Sequence, residues 1–141
     1  MFGSRNAEVL IVGAGPAGLS AALFLARHEV PVEIIDEEFR PAAHSYALAL
    51  HPRSLELLEP TGVMSGLLAH GRRIEKIVIH GPAGKQVQLD LTRLACRYPF
   101  VLVTPQNELE AVLEQALHDH HVTVHWNHRI ARMAAMLTRF C

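Results

Sequence analysis

The residues best suited to chemistry in this 141-residue chain are Gly13-Ala14-Gly15-Pro16-Ala17-Gly18 and, further on, Asp36. Alone, a GxGxxG run is a weak signal. Here it follows an apolar β-branched stretch, precedes an apolar helical one, and has an acid about 20 residues downstream. Each part answers a physical demand of binding a dinucleotide. Gly13 permits a tight turn, Gly15 lets a pyrophosphate approach the backbone, and Gly18 lets the helix pack against the strand. Freed N–H groups and the positive end of the helix favour the anionic phosphates, with Ala14, Pro16 and Ala17 lining the turn through their backbone. Asp36 suits the ribose hydroxyls, and an acid there opposes a 2′-phosphate, so NADP is disfavoured at this site. Glu37 and Glu38 adjoin it, so the choice of acid stays open and Glu37 is kept as a candidate contact. The fingerprint alone does not separate FAD from NAD.

These residues need a strand–helix–strand frame. Glu8–Val12 reads as a strand buried on both faces of a parallel sheet. Leu19–His28 reads as a helix, ended by Val30-Pro31. Val32–Asp36 is the second strand, and the crossover between them is expected to be right-handed. The run Val9–Ala26 superficially imitates a targeting or membrane segment, but Gly13, Gly15, Pro16 and Gly18 break it.

Beyond the βαβ unit the pattern is less regular. Residues 37–50 show no clean period and read as a loop. Pro52–Glu59 and Val63–His70 read as short helices, the second stopped by Gly71. Ile74–His80 and Lys85–Leu91 flank Gly81-Pro82-Ala83-Gly84 as a β-hairpin. Phe100–Val103 is a short strand. Thr104-Pro105 opens a helix to His120 with Leu109, Val112, Leu113, Ala116 and Leu117 on one stripe, and Thr104 is the candidate N-cap. Val122–Trp126 reads as a strand and Arg129–Met133 as another. The expected class is α/β: a partial Rossmann-like parallel sheet with helices on both faces, plus an antiparallel hairpin layer.

The length suits one domain, residues 1–141. A formal net charge of -1 gives no basic excess for nucleic acid or anionic membrane. Two cysteines, Cys96 and Cys141, form no CxxC pair, which fits a reducing cytosol, with Cys96 a small core residue. His118, His120, His121, His125 and His128 crowd one region, but they span a helix end, a turn and a strand without a zinc-site spacing. No metal site is expected from them, and imidazoles near a helix C-terminus are explained by its dipole. Trp126 reads as a packing residue. No nucleophile or acid–base constellation stands out, so no catalytic residue is assigned.

Three stretches carry a narrower resemblance. VLIVGAGPAGLSAALFLARHEVPVEIID resembles the FAD-binding N-terminus of the flavoprotein aromatic hydroxylases, the family that includes p-hydroxybenzoate and phenol hydroxylases. ALALHPRSLELLEPTGV resembles the segment after the acidic strand. VLVTPQNELEAVLEQAL resembles the strand-into-helix segment in which a Gln contacts the flavin cofactor; Gln106 holds that place. The resemblance implies FAD as cofactor, NAD(P)H as reductant, O2 as oxidant and hydroxylation of a small phenolic substrate. The cofactor supplies the difficult chemistry and the protein positions it.

Two departures stand out against that family. Tyr46 occupies the position of a common Arg near the pyrophosphate, and a Tyr hydroxyl supplies neither charge nor fork. Arg53 is a candidate substitute, although a solvated helix-start side chain explains it more simply. The later Asp-Gly and Gly-Asp motifs are absent from the 141 residues. The expectation is therefore an N-terminal part of the family's domain, with sheet edges and apolar faces left uncovered. The chain is then a fragment or truncated gene product, one piece of a split chain whose second chain supplies the rest, or a non-catalytic dinucleotide-binding remnant.

Overall fold

The computed structural model describes residues 7–39 and 46–132. In chain order the elements are β1 (Val9–Val12), α1 (Pro16–Arg27), β2 (Val32–Ile35), β3 (Ala47–Leu50), α2 (Pro52–Leu58), α3 (Met64–His70), β4 (Arg72–Ile74), β5 (Lys76–His80), β6 (Gln86–Asp90), β7 (Val101–Pro105), α4 (Gln106–Asp119) and β8 (Val124–His125). β1, β2 and β8 form a parallel sheet in that order, with Ile11 opposite Ile34 and Ile34 opposite Val124. The predicted βαβ unit is thus present, and it is the frame of the glycine turn.

The core is built around one contact between helices. α1 buries Leu19, Ala22 and Leu23, and α4 buries Leu109, Leu113 and Leu117. The two helices pack on each other, while α1 also covers β1 and β2. Each fully buried Leu contributes roughly 1.5–3 kcal/mol relative to an exposed one, so the leucines of this seam are a substantial part of the core's stability. α2 and α3 add Leu55, Leu58, Met64 and Leu67 to the same core. A Cβ on Gly66 would lie 3.1 Å from Val112, so a glycine lets α3 approach α4.

α1 and α4 end the same way. Val30 N–H donates to Leu25 O and Glu29 N–H to Ala26 O; Val122 N–H donates to Leu117 O and His121 N–H to His118 O. This is the Schellman arrangement, which places one residue in the left-handed region, usually glycine. Here Glu29 (φ 59) and His121 (φ 62) take that place. The stop of α1 therefore lies in this turn, just before Val30-Pro31.

Several expectations need correction. Residues 47–50, read as loop, form β3, which pairs antiparallel with β7; β4 pairs on the other side of β7. The strand at Val101–Pro105 therefore belongs to a second, antiparallel sheet. Thr104 is not the cap of α4: it is buried in β7 opposite Leu48, and Pro105 takes the cap position without a side-chain bond. Only Val124 and His125 of the predicted Val122–Trp126 strand pair, and residues 129–132 are not a strand; Met133 lies outside the described residues. Helices do not cover both faces of the parallel sheet among the described residues, because Leu10 and Val12 are 49% and 58% exposed. Cys96 is partly exposed, not core.

The hairpin is present as predicted, with Ile77 opposite Leu89 and Ile79 opposite Val87. Among the described residues no helix is long and apolar enough to cross a membrane.

Candidate dinucleotide-binding site

The glycine run is the turn from β1 into α1. Gly13 has φ +103, which a side chain rarely adopts, and its N–H donates to Ile35 O at 2.8 Å. A Cβ built on Gly18 would lie 1.9 Å from Gly13 O, so the first turn of α1 is pressed against the strand end. A Cβ on Gly15 would meet nothing within 4 Å. These are the three requirements of a phosphate turn: a left-handed exit, a close helix, and an open backbone where a ligand approaches. Pro16 occupies the start of α1, where a missing N–H costs nothing. Ala14 is buried, Ala17 is exposed, and no side chain caps the helix.

Asp36 stands at the end of β2 and reaches back to the turn. Its Oδ2 accepts from Ala14 N–H at 2.5 Å and its Oδ1 from Glu38 N–H at 2.9 Å. Asp36 N–H donates to His125 O at 3.0 Å, and Asp36 O accepts from His128 N–H at 2.8 Å. Asn127 N–H donates to Glu38 O at 3.0 Å, so the loop after β2 and the segment after β8 run side by side. Between them opens a cleft of about 710 Å³, lined by Val12, Gly13, Asp36, Glu37, Glu38 and residues 128–131. Sequence reasoning found Gly13, Asp36 and Glu37 but missed the wall at 128–131. That segment is tied in place by main-chain bonds, which carry no signature of residue type or spacing.

Gln106 lies elsewhere. It begins α4, its N–H donates to Tyr46 O at 2.7 Å, and its carboxamide donates to Glu110 Oε1 at 2.8 Å. The two positions singled out by resemblance, Tyr46 and Gln106, are thus neighbours, but neither lines the cleft at Asp36. Arg53 pairs with Glu56 on its own helix at 3.3 Å, is 79% exposed and does not line the cleft at Asp36. His128 Nδ1 lies 2.5 Å from Trp126 O, and the rings of His125 and His128 are 6.1 Å apart. Among the described residues no group of three His, Cys, Asp or Glu could hold a metal ion. Trp126 packs against the core.

This geometry can hold an anionic, ribose-bearing ligand: N–H donors and a helix start on one side, carboxylates on the other. The chain matches the sequence family described as FAD binding domain over residues 6–136. It is 37% identical over 129 residues to 6-methylpretetramide 4-monooxygenase of Streptomyces rimosus, covering 90% of this chain and 23% of that protein. It is 38% identical over 117 residues to pentachlorophenol 4-monooxygenase of Sphingobium chlorophenolicum, covering 81% of this chain and 21% of that protein. The fold matches the crystal structure of p-nitrophenol 4-monooxygenase PnpA from Pseudomonas putida DLL-E4 with a TM-score of 0.83 and 24% identity, over 91% of this chain and 33% of that one. The chain therefore spans between a fifth and a quarter of the length of these two sequence relatives. On the family match and the geometry of the turn together, the chain belongs to the FAD-binding domain family.

Proposed function

We propose that residues 1–141 form the N-terminal part of one FAD-binding domain, in an FAD-dependent monooxygenase that hydroxylates a small aromatic, phenolic substrate with NAD(P)H and O2. The observation that carries this reading is the contrast within the turn: the Cβ position of Gly15 is open while that of Gly18 is filled by the backbone. A turn that needed glycine only for packing has no reason to keep the exposed position bare as well. The named relatives, 6-methylpretetramide and pentachlorophenol 4-monooxygenases, supply the reaction class.

FAD, when bound, carries electrons from NAD(P)H to oxygen. This chain's residues bind and orient it. The turn from Gly13 through Ala14, Gly15, Pro16 and Ala17 to Gly18 lines the pyrophosphate with backbone; the N–H groups it offers are those of Gly15, Ala17 and Gly18 at the N-terminus of α1, since Gly13 and Ala14 donate within the chain and Pro16 has none. Asp36 and the adjacent Glu37 accept from ribose hydroxyls, and with Glu38 they repel a 2′-phosphate. Gln106 contacts the cofactor from the start of α4, beside Tyr46. A second reading, one half of a split oxidoreductase or a binding module without turnover, is favoured by the uncovered Leu10 and Val12 and by the exposed hairpin residues Ile79 and Val87.

The test is FAD binding by the 141-residue chain, followed by flavin fluorescence, with Gly15→Val as control. Gly15 has φ -73 and open space at Cβ, so Val is expected to fold and to block only the ligand. Saturable binding lost in Gly15→Val supports the reading. Equal binding by both chains, or none by a folded wild-type chain, overturns it.

A further inference from the structure

The acid at the end of the second strand of a dinucleotide-binding unit is ordinarily read for its outward contact with ribose. In this chain Asp36 also faces inward. Its two carboxylate oxygens accept from two backbone amides, Ala14 N–H at 2.5 Å and Glu38 N–H at 2.9 Å. Ala14 sits 22 residues earlier, inside the glycine turn. The main-chain groups of Asp36 are also engaged, its N–H with His125 O and its C=O with His128 N–H. One residue thus ties together the exit of β1, the loop after β2 and the segment after β8. These three pieces bound the cleft.

The chemistry of the contact is specific to a carboxylate. Two converging N–H donors need two acceptors, and an ionised Asp supplies acceptor oxygens only. An Asn of the same shape has one oxygen and one NH2, so one of the two amides would face a donor. Bonds from backbone N–H to an ionised carboxylate are about twice as strong as neutral ones. Among the described residues the only other anchor at this point is the main-chain bond from Gly13 N–H to Ile35 O, because Gly13 has no side chain and no side chain caps α1.

We propose that Asp36 is a positioning residue for the phosphate turn: by holding Ala14 N–H and Glu38 N–H it sets the turn in its ligand-ready shape before the dinucleotide arrives. This deepens the cofactor reading and rests on it for the identity of the ligand. A preorganised turn loses less freedom on binding, so the clamp raises affinity in addition to any bond the Asp36 carboxylate makes to the ribose.

The test is a cycle between protein and ligand. Wild type and Asp36→Asn are each titrated with FAD and with the FAD analogue lacking the 2′ and 3′ hydroxyls of the adenosine ribose. A positioning role weakens both ligands in the variant, by roughly ten- to a hundredfold for a lost bond to a charged group. If Asp36 acts through ribose alone, the variant binds the dideoxy analogue as tightly as wild type does, and the proposal is overturned. A second measurement needs no cofactor: the Ala14 amide in the ligand-free chain, read by NMR shift and hydrogen exchange. Its resonance moves and its protection falls in Asp36→Asn; an Ala14 amide unchanged in a folded variant overturns the proposal. Failure of the wild-type chain to bind FAD overturns the cofactor reading only, and the Ala14 amide then decides the clamp.

Discussion

Replacing Gly18 by Ala should destabilise the fold although it places a good helix former inside a helix. Gly18 is the third residue of α1, where Ala is favoured over Gly by about 1 kcal/mol on helix propensity alone. Against this, the new Cβ would sit 1.9 Å from Gly13 O, 3.0 Å from Gly13 C and 3.4 Å from Ile11 Cγ2. A carbon normally approaches a carbonyl oxygen to about 3.3 Å, so the helix start must retreat by roughly 1.4 Å. The obstructing atom is backbone, in a residue whose φ of +103 and bond to Ile35 O fix it, so no rotamer change relieves the overlap. Overpacking costs typically 1–3 kcal/mol, and an unyielding neighbour places this case at or above the upper end. The net effect expected is a loss of about 2 kcal/mol, or roughly 5–10 °C in the thermal midpoint of a domain this size. Gly15→Ala is the matched control, with allowed backbone angles and nothing within 4 Å of the new methyl group. It should be neutral or gain up to about 1 kcal/mol through the unfolded chain. Urea unfolding followed by circular dichroism compares the two. Equal stabilities, or a more stable Gly18→Ala, would refute the claim that the third glycine is held by packing.

Other consequences are equally open to measurement. Glu29→Gly and His121→Gly should each raise stability by about 0.5–1 kcal/mol in urea unfolding, because both residues hold left-handed positions at helix ends, with φ of 59 and 62. Asp90 accepts from the Thr92 hydroxyl at 2.6 Å and from Thr92 N–H at 3.1 Å, and the hydroxyl chiefly holds its carboxyl below the ordinary range. The stability this supplies is present above the ordinary carboxylate pKa and is lost as pH falls through the lowered one. The Asp90 titration midpoint, read by NMR, should accordingly rise in Thr92→Val. Gln106→Ala should weaken FAD binding by roughly three- to tenfold, the worth of one neutral hydrogen bond, with little change in thermal midpoint.

How much of this was legible in the sequence depends on where each constraint originates. The βαβ unit was readable because its signals are local: glycines at fixed offsets, a run of apolar residues for β1, an acid closing β2. The apolar stripe that α4 turns to the core was readable for the same reason, since Leu109, Leu113 and Leu117 recur at helical spacing; that it meets α1 was not. β3 was not, because Ala47-Leu48-Ala49-Leu50 lacks β-branched residues and is a strand through its pairing with β7, more than fifty residues away. Thr104 misled for a related reason: a hydroxyl before an apolar helix is a common cap, but the ladder to Leu48 had already claimed that stretch of chain.

The cleft shows the limit most plainly. One wall, from Gly13 to Asp36, is chosen by side-chain chemistry and could be named residue by residue. The facing wall at 128–131 is placed by main-chain bonds, His128 N–H to Asp36 O and Asn127 N–H to Glu38 O, which any residue type can make. Such a wall leaves no mark in composition, yet it closes one side of the cleft. Asp36 joins the two, since its side chain holds the first wall and its main chain the second. Its substitution therefore tests the first wall alone, because the main-chain bonds that place the second survive a change of side chain.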